Sequence, residues 1–254
     1  MKKLVTFLTI CVLAAGAVFA QVSDEVAEKV FKYLEKSDEI MADNGDYSAT
    51  MTLHVEQPGK PKETMQFKVF LRSDEELMSM VQIFPEADKG TGYLRDGDNM
   101  WAYDPIGRKF THSSVKESLG DSDVKIDDVT KDKDRWRKNY KVVEFEEGKL
   151  GKFPIYLITL EAITTEPSYS FMKLYMRKDV PLLLKEEDFS GSNRLMRTIL
   201  IPKYGKVVTG YVPTQTILKD ELNPGEITQQ LLTNITYDRL PDKVFTKAYL
   251  ENVN

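Results

Sequence analysis

Between Tyr47 and Leu71 the side chains change character at every second residue. Tyr47, Ala49, Met51, Leu53 and Val55 alternate with Ser48, Thr50, Thr52 and His54. After a Pro58-Gly59 turn, Met65, Phe67, Val69 and Leu71 alternate with Thr64, Gln66 and Lys68. Successive side chains of a strand point to opposite faces, so a period of two gives one apolar and one polar face. A helix spreads the same pattern around its whole circumference and cannot bury it. The chain is therefore expected to build antiparallel strands whose apolar face something else must cover.

The same reading extends along most of the chain. Further strands are expected over 77–83, 92–95, 100–103 and 108–112, then over 140–146, 155–161, 170–177, 182–189, 195–200, 211–218 and 229–237. Asp96-Gly97-Asp98-Asn99 carries a hairpin signal, and Asp104-Pro105-Ile106-Gly107 a second turn. The period is helical only at the start, over 23–41. Ser23 can cap that helix, Asp24 and Glu25 suit its first turn, and Val26, Val30, Leu34 and Met41 share a stripe. Residues 113–141 are irregular and rich in Asp and Lys. One or two short helices are expected there, with Asp127-Asp128 near a start and Arg135 to Lys138 near an end. Pro241-Asp242 opens a terminal helical turn ending near Tyr249.

The fold class expected is mainly β: about eleven antiparallel strands in one large curved sheet or barrel. A sheet of that length tends to curl. Curling leaves a concave apolar face, and the helix over 23–41 and the insert over 113–141 are the elements available to cover it. Space left beneath them would be a lipid-sized apolar cavity. The residues expected to line it are Met51, Leu53, Phe67, Val69, Leu71 and Val81 from the strands, with Val30 and Leu34 from the helix. Nine methionines follow Met1. Their flexible side chains suit varied apolar ligands, and equally an ordinary packed core.

Composition narrows the function classes. The first twenty residues, MKKLVTFLTICVLAAGAVFA, have the Lys pair, apolar run and small-residue end of a secretory signal peptide. Cleavage after Ala20 leaves 21–254 as a single domain, and losing Lys2 and Lys3 takes the formal charge from −5 to −7. An uncleaved anchor is one alternative. Lipidation of Cys11, in a loose lipobox, is another. With Cys11 removed no cysteine is left, so disulfides, thiol nucleophiles and Cys metal sites are excluded. Acidity argues against a nucleic-acid partner. The expected location is the periplasm.

Catalytic signatures are missing. His54 and His112 are the only histidines, and no G-x-S-x-G elbow occurs. His112 beside Ser113 is the local candidate for a hydrolase. However, neighbouring strand residues point to opposite faces. Asp121-Ser122-Asp123 and Asp127-Asp128 lack the Gly and terminal Glu of a calcium loop and read as solvated caps. Glu186-Glu187-Asp188 reads as solvated strand and turn positions. Neither a catalytic residue, nor a metal ligand, nor a cofactor is expected.

Several ordered segments carry a resemblance. Phe67 to Ser114, FKVFLRSDEELMSMVQIFPEADKGTGYLRDGDNMWAYDPIGRKFTHSS, holds a strand ending in Arg, a strand ending in a Pro turn, and L-x-D-G-x-x-x-W-x-Y-x-P. SLGDSDVKIDDV, RLMRTILIPKYGKVVTGYVPTQTILKDE and LPDKVFTKAYLENV follow in order. This arrangement resembles the LolA-like outer-membrane lipoprotein-sorting family over nearly the whole mature chain. The resemblance implies an incomplete barrel of about eleven strands whose interior holds acyl chains of lipoproteins or phospholipids. It also implies transport toward the outer membrane without covalent chemistry, with an inner-membrane transporter and an outer-membrane acceptor as partners. The family's strand-end Arg, which helps hold the lid closed, maps to Arg72. A lipid hydrolase using His112 and a structural envelope protein are the alternatives.

Overall fold

The computed structural model describes residues 22–42, 45–129, 134–208 and 210–253. The signal peptide and Cys11 lie outside the described residues. Helix α1 runs Asp24–Glu39, and Ser23 Oγ accepts from the Val26 N–H at 3.4 Å. Six strands follow: β1 Asp46–Glu56, β2 Glu63–Arg72, β3 Leu77–Phe84, β4 Gly92–Asp96, β5 Asn99–Asp104 and β6 Lys109–His112. The insert contributes α2 Ile126–Val129 and α3 Arg135–Asn139. Seven more strands complete the sheet: β7 Tyr140–Leu150, β8 Phe153–Ala162, β9 Phe171–Arg177, β10 Leu183–Phe189, β11 Leu195–Val207, β12 Gly210–Asp220 and β13 Ile227–Thr236. A 3-10 turn, Asp242–Phe245, and helix α4 Lys247–Asn252 end the chain.

Among the described residues thirteen strands form one antiparallel sheet that does not close, with the order β6-β5-β4-β3-β2-β1-β13-β12-β11-β10-β9-β8-β7. Each strand segment read in the sequence pairs as a strand of its own, the short ones around the Asp96-Gly97 and Asp104-Pro105 turns included, so the count is thirteen rather than about eleven. Gly97, at φ +56°, takes the first central position of the β4–β5 hairpin, where a positive φ suits glycine.

Every neighbouring pair is consecutive in sequence except β1–β13, which joins two meanders. The two free edges are then β6 and β7, and these are consecutive in the chain. The insert between them has to travel from one edge of the sheet to the other, so topology lays it across a face.

Two clusters fill the concave side. Alternate residues of β1 and β2, with Met78, Met80 and Met100, pack beneath Leu119, Val124 and Ile126 of the insert, each of these three fully buried. Val30 and Leu34 of α1 pack with Trp136 on Ile158, Leu160, Leu174 and Met176. Burying side chains of this size contributes about 1.5–3 kcal/mol apiece. The opposite face has its own cover. Leu250 of α4 meets Val81, Leu94 and Tyr103, and Lys247 Nζ lies 4.3 Å from the Trp101 ring centroid. Trp101 and Tyr103 therefore lie under the C-terminal helix, while Met100 points into the concave core.

Candidate functional site

Between the two concave clusters lies a cavity of about 270 Å³. Its wall is formed by α1, the insert, the 163–170 loop and the middle of β9 to β13. One side is apolar, with Leu34, Met172, Leu174, Met176, Ile199 and Leu218. The other is charged, with Asp128, Glu186 and Arg197 close to Tyr169. The volume falls just below the roughly 300–1,000 Å³ of ordinary ligand clefts.

Of the residues expected to line the cavity, Leu34 does so, and Val30 sits in the same cluster. Met51, Leu53, Phe67, Val69 and Leu71 face the same concave side but are packed solid beneath the insert. Val81 faces the other way, under α4, because Met78 and Met80 take the inward positions of β3.

Arg72 ends β2 on the same face as Phe70, opposite the cavity. Its Nε donates to Asp46 Oδ1 at 2.7 Å, Nη1 to Asp242 Oδ1 at 2.8 Å and Nη2 to the Leu240 carbonyl at 2.6 Å. The Phe245 ring centroid is 5.0 Å from its guanidinium. These partners tie down the C-terminal segment and the start of β1, not the helices over the cavity. The guanidinium holds the Asp46 carboxyl below its ordinary range.

The insert is bolted to the sheet by another arginine. Arg197 on β11 donates from Nε to Asp188 Oδ2 at 2.9 Å. It also donates from Nη1 to Asp128 Oδ2 at 2.7 Å and from Nη2 to Asp128 Oδ1 at 3.0 Å. The Tyr169 ring has Arg197 Cζ and Lys125 Nζ each at 5.0 Å. Asp188 is fully buried. The sequence expectation of solvated positions at Glu186-Glu187-Asp188 is therefore corrected for Glu186 and Asp188. In the pairing of β10 with its neighbours, Glu186 stands opposite Leu174 and Ile199, and Asp188 opposite Met172 and Arg197. All four neighbours face inward. Burial, then the Asp188 charge, holds the Glu186 carboxyl well above the usual carboxylate range. Asp128 accepts from the Lys125 N–H at 2.8 Å, as expected of a cap, and both of its oxygens also accept from Arg197. The available signal was charge at inward-facing strand positions, which a run of acids concealed.

Helix α1 has attachments of its own. Asp38 accepts from Trp136 Nε1 at 2.6 Å and Arg135 Nη2 at 3.0 Å. The Tyr33 hydroxyl donates to the Arg177 carbonyl. Beyond the helix, Met41 bridges to Tyr211.

Asp123, Asp220 and Glu226 bring carboxylate oxygens within 4.8 Å of one another, a spacing that could hold a cation. Asp220 is already occupied by the Leu222 and Asn223 N–H groups and by Asn223 Nδ2. Asp123 accepts from Thr228 at 3.2 Å. His112 is exposed and packs at 5.7 Å on the Trp101 ring, while Ser113 Oγ donates to Glu117 rather than to His112. His54 Nδ1 meets Thr64 Oγ1 at 3.0 Å. No described helix is long and apolar enough to cross a membrane.

A family model described as "Uncharacterized protein" matches residues 74–252. No curated protein matches the chain. Among solved structures, a LolA superfamily protein from Nitrosomonas europaea is similar, with TM-score 0.75 and 21% identity over 86% of this chain and 98% of that one. A DUF1329 family protein from Desulfovibrio piger has TM-score 0.78 and 22% identity, covering 88% and 98%. An outer-membrane lipoprotein-sorting protein domain from Vibrio parahaemolyticus has TM-score 0.76 and 16% identity, covering 89% and 100%. The chain belongs to the family whose model spans 74–252, and its fold is the LolA-like open barrel.

Proposed function

We propose that the chain is an exported carrier that holds acyl chains of lipoproteins or lipids in this cavity and moves them toward the outer membrane. Residues 1–20 act as the signal peptide and 21–254 as one carrier domain in the periplasm. The observation that carries the reading is the cavity itself, apolar on one side and roofed by α1 and the insert on the concave face of an open sheet. Its similarity to a lipoprotein-sorting domain supports the same use. An inner-membrane transporter would load the carrier and an outer-membrane acceptor would relieve it. Apolar transfer at about 25 cal/mol per Å² makes a buried alkyl chain worth several kcal/mol. That suffices for capture without any covalent step.

One observation favours a structural envelope protein instead. Much of the concave face is filled by the protein's own side chains. Native mass spectrometry of the purified protein, with a fluorescent fatty acid titration beside it, separates the two readings. Co-purified lipid or saturable probe binding is expected, and absence of both overturns the carrier reading.

A further inference from the structure

The charged side of the cavity has more acceptors than donors. Glu186 and Asp188 are two residues apart on β10 and point the same way. The Arg197 hydrogen bonds are committed to Asp188 Oδ2, to both oxygens of Asp128 and, at 3.4 Å, to the Asp123 carbonyl. Asp188 Oδ1 is left fully buried with no donor. No described lysine or arginine forms an ion pair with Glu186. As two carboxylates the pair would repel each other and leave buried acceptors unsatisfied, a costly arrangement. As an acid and a carboxylate, Glu186 can donate to Asp188.

The same bias extends around the cavity. Among the described residues, five acidic residues border it, Asp38, Asp127, Asp128, Glu166 and Glu186, against the three cations Lys125, Arg135 and Arg197. Arg135 is engaged by Asp38 at 3.0 Å. Lys125 lies on the Tyr169 ring, and burial lowers its ammonium below the ordinary range.

We propose that the cavity selects amphiphiles with a primary ammonium head, which takes the place of the Glu186 proton while the alkyl chain lies along Leu174, Met176 and Ile199. This rests on the carrier reading and adds the head-group chemistry to it. The ammonium brings the N–H donors that the Glu186 carboxyl and its neighbour lack. On binding, Glu186 releases its proton to solvent and the carboxylate pairs with the incoming cation, so one proton leaves per cation bound. The groups facing Glu186 in this exchange are Asp188 on its own strand, Arg197 on β11, Asp128 on α2, Tyr140 on β7, Tyr169 in the 163–170 loop and Lys125 in the insert. Arg197 lowers the Glu186 pKa, while burial, Asp188 and Asp128 raise it. An anionic head would meet the acidic excess, which supplies the repulsive half of the selectivity.

The test uses the full mature chain and three probes of equal chain length: decylammonium, decanoate and decanol. Each is titrated against the wild type and Glu186→Gln in two buffers of different ionisation enthalpy. Decylammonium is expected to bind roughly tenfold or more tighter than the other two, the scale of a charge-assisted hydrogen bond. Decylammonium binding should release protons, and decanol binding should not. Glu186→Gln, which has the shape of the protonated acid, should lose the preference, read as the ratio of decylammonium to decanol affinity. Decanoate binding as tightly as decylammonium in the wild type would overturn the proposal, with no variant needed. So would a preference that survives in Glu186→Gln. In both cases the carrier reading stands, because chains are still bound. If none of the three probes binds, the carrier reading and the proposal fail together.

Discussion

Arg197 and Arg72 are 6% and 4% exposed and collect two and three carboxylates, on opposite faces of the sheet. The partners differ in what they would lose. Asp188 is fully buried and has no water to fall back on, while the Asp242 side chain is 86% exposed. Leaving a buried charge without its partner typically costs about 3–5 kcal/mol, so Arg197 is the more stringent of the two. The Glu186 proton has its own pH signature. Its carboxyl is raised by burial from the ordinary value of 4.5. The native state therefore keeps a proton that the unfolded chain gives up. Its stabilising effect is full below the unfolded pKa and fades as pH rises through the folded one. Thermal melts should show the wild type losing stability relative to Glu186→Gln as pH rises above the ordinary carboxylate value of 4.5, a slope the variant lacks. Asp46 works in the opposite sense. Arg72 lowers its carboxyl, so its contribution is present above the ordinary value of 3.8 and is lost as pH falls through the folded one. Equal slopes in wild type and Glu186→Gln would place the Glu186 proton elsewhere.

The strand alternation that was easiest to read in the sequence belongs to β1 and β2, and this made their inward residues the obvious lining. Legibility and function separate here. A perfect apolar alternation packs completely, and β1 and β2 are sealed by Leu119, Val124 and Ile126. The cavity lies instead against β9 to β12, where inward positions carry Glu186 and Arg197 and the pattern is broken. Sequence could place every strand and the helix over 24–39, because those follow from local periodicity. It could not show that Arg72 and Arg197 serve opposite faces, since that depends on which parity of each strand turns inward. The attachment of α1 is a similar case. Ala42 donates to the Tyr211 carbonyl and Tyr211 to the Ile40 carbonyl, each at 2.9 Å, so the helix end joins β12. A Cβ on Gly210 would stand 2.3 Å from the Ile40 oxygen. Gly210→Ala is expected to push this junction apart and cost about 1–3 kcal/mol, the range for overpacking. Hydrogen exchange at the Ala42 and Tyr211 amides should quicken. Gly148→Ala is the control, its nearest neighbour being Ile155 at an ordinary 3.8 Å. Equal stability of the two variants would mean that this junction bears no load.

At the scale of the molecule, an open sheet needs its cover, and the cover sets the space left inside. About 270 Å³ lies below the range of ordinary ligand clefts. Each further buried methylene gains about 0.8 kcal/mol only while there is room for it. A long chain must therefore displace part of the cover, and the two parts are not held alike. The stretch through Leu119, Val124 and Ile126 is fully buried, and Arg197 and Thr228 fasten it to the sheet. Helix α1 buries chiefly Val30 and Leu34; it is tied to α3 through Asp38 to Trp136 and Arg135 and through Glu28 and Glu35 to Arg137, and to the sheet through Tyr33 to the Arg177 carbonyl and through the junction with Tyr211 at its end. These ion pairs couple α1 to α3, so the two helices should move as a pair when α1 is displaced. Loading with a sixteen-carbon chain is expected to lower hydrogen-exchange protection across α1 and α3, while the amides of Leu119, Ile126 and β1 to β3 keep theirs. A short chain that fits the cavity should leave both regions protected. Unchanged protection of α1 and α3 under the long chain would mean a fixed cavity, and affinity should then stop rising at the chain length that fills it.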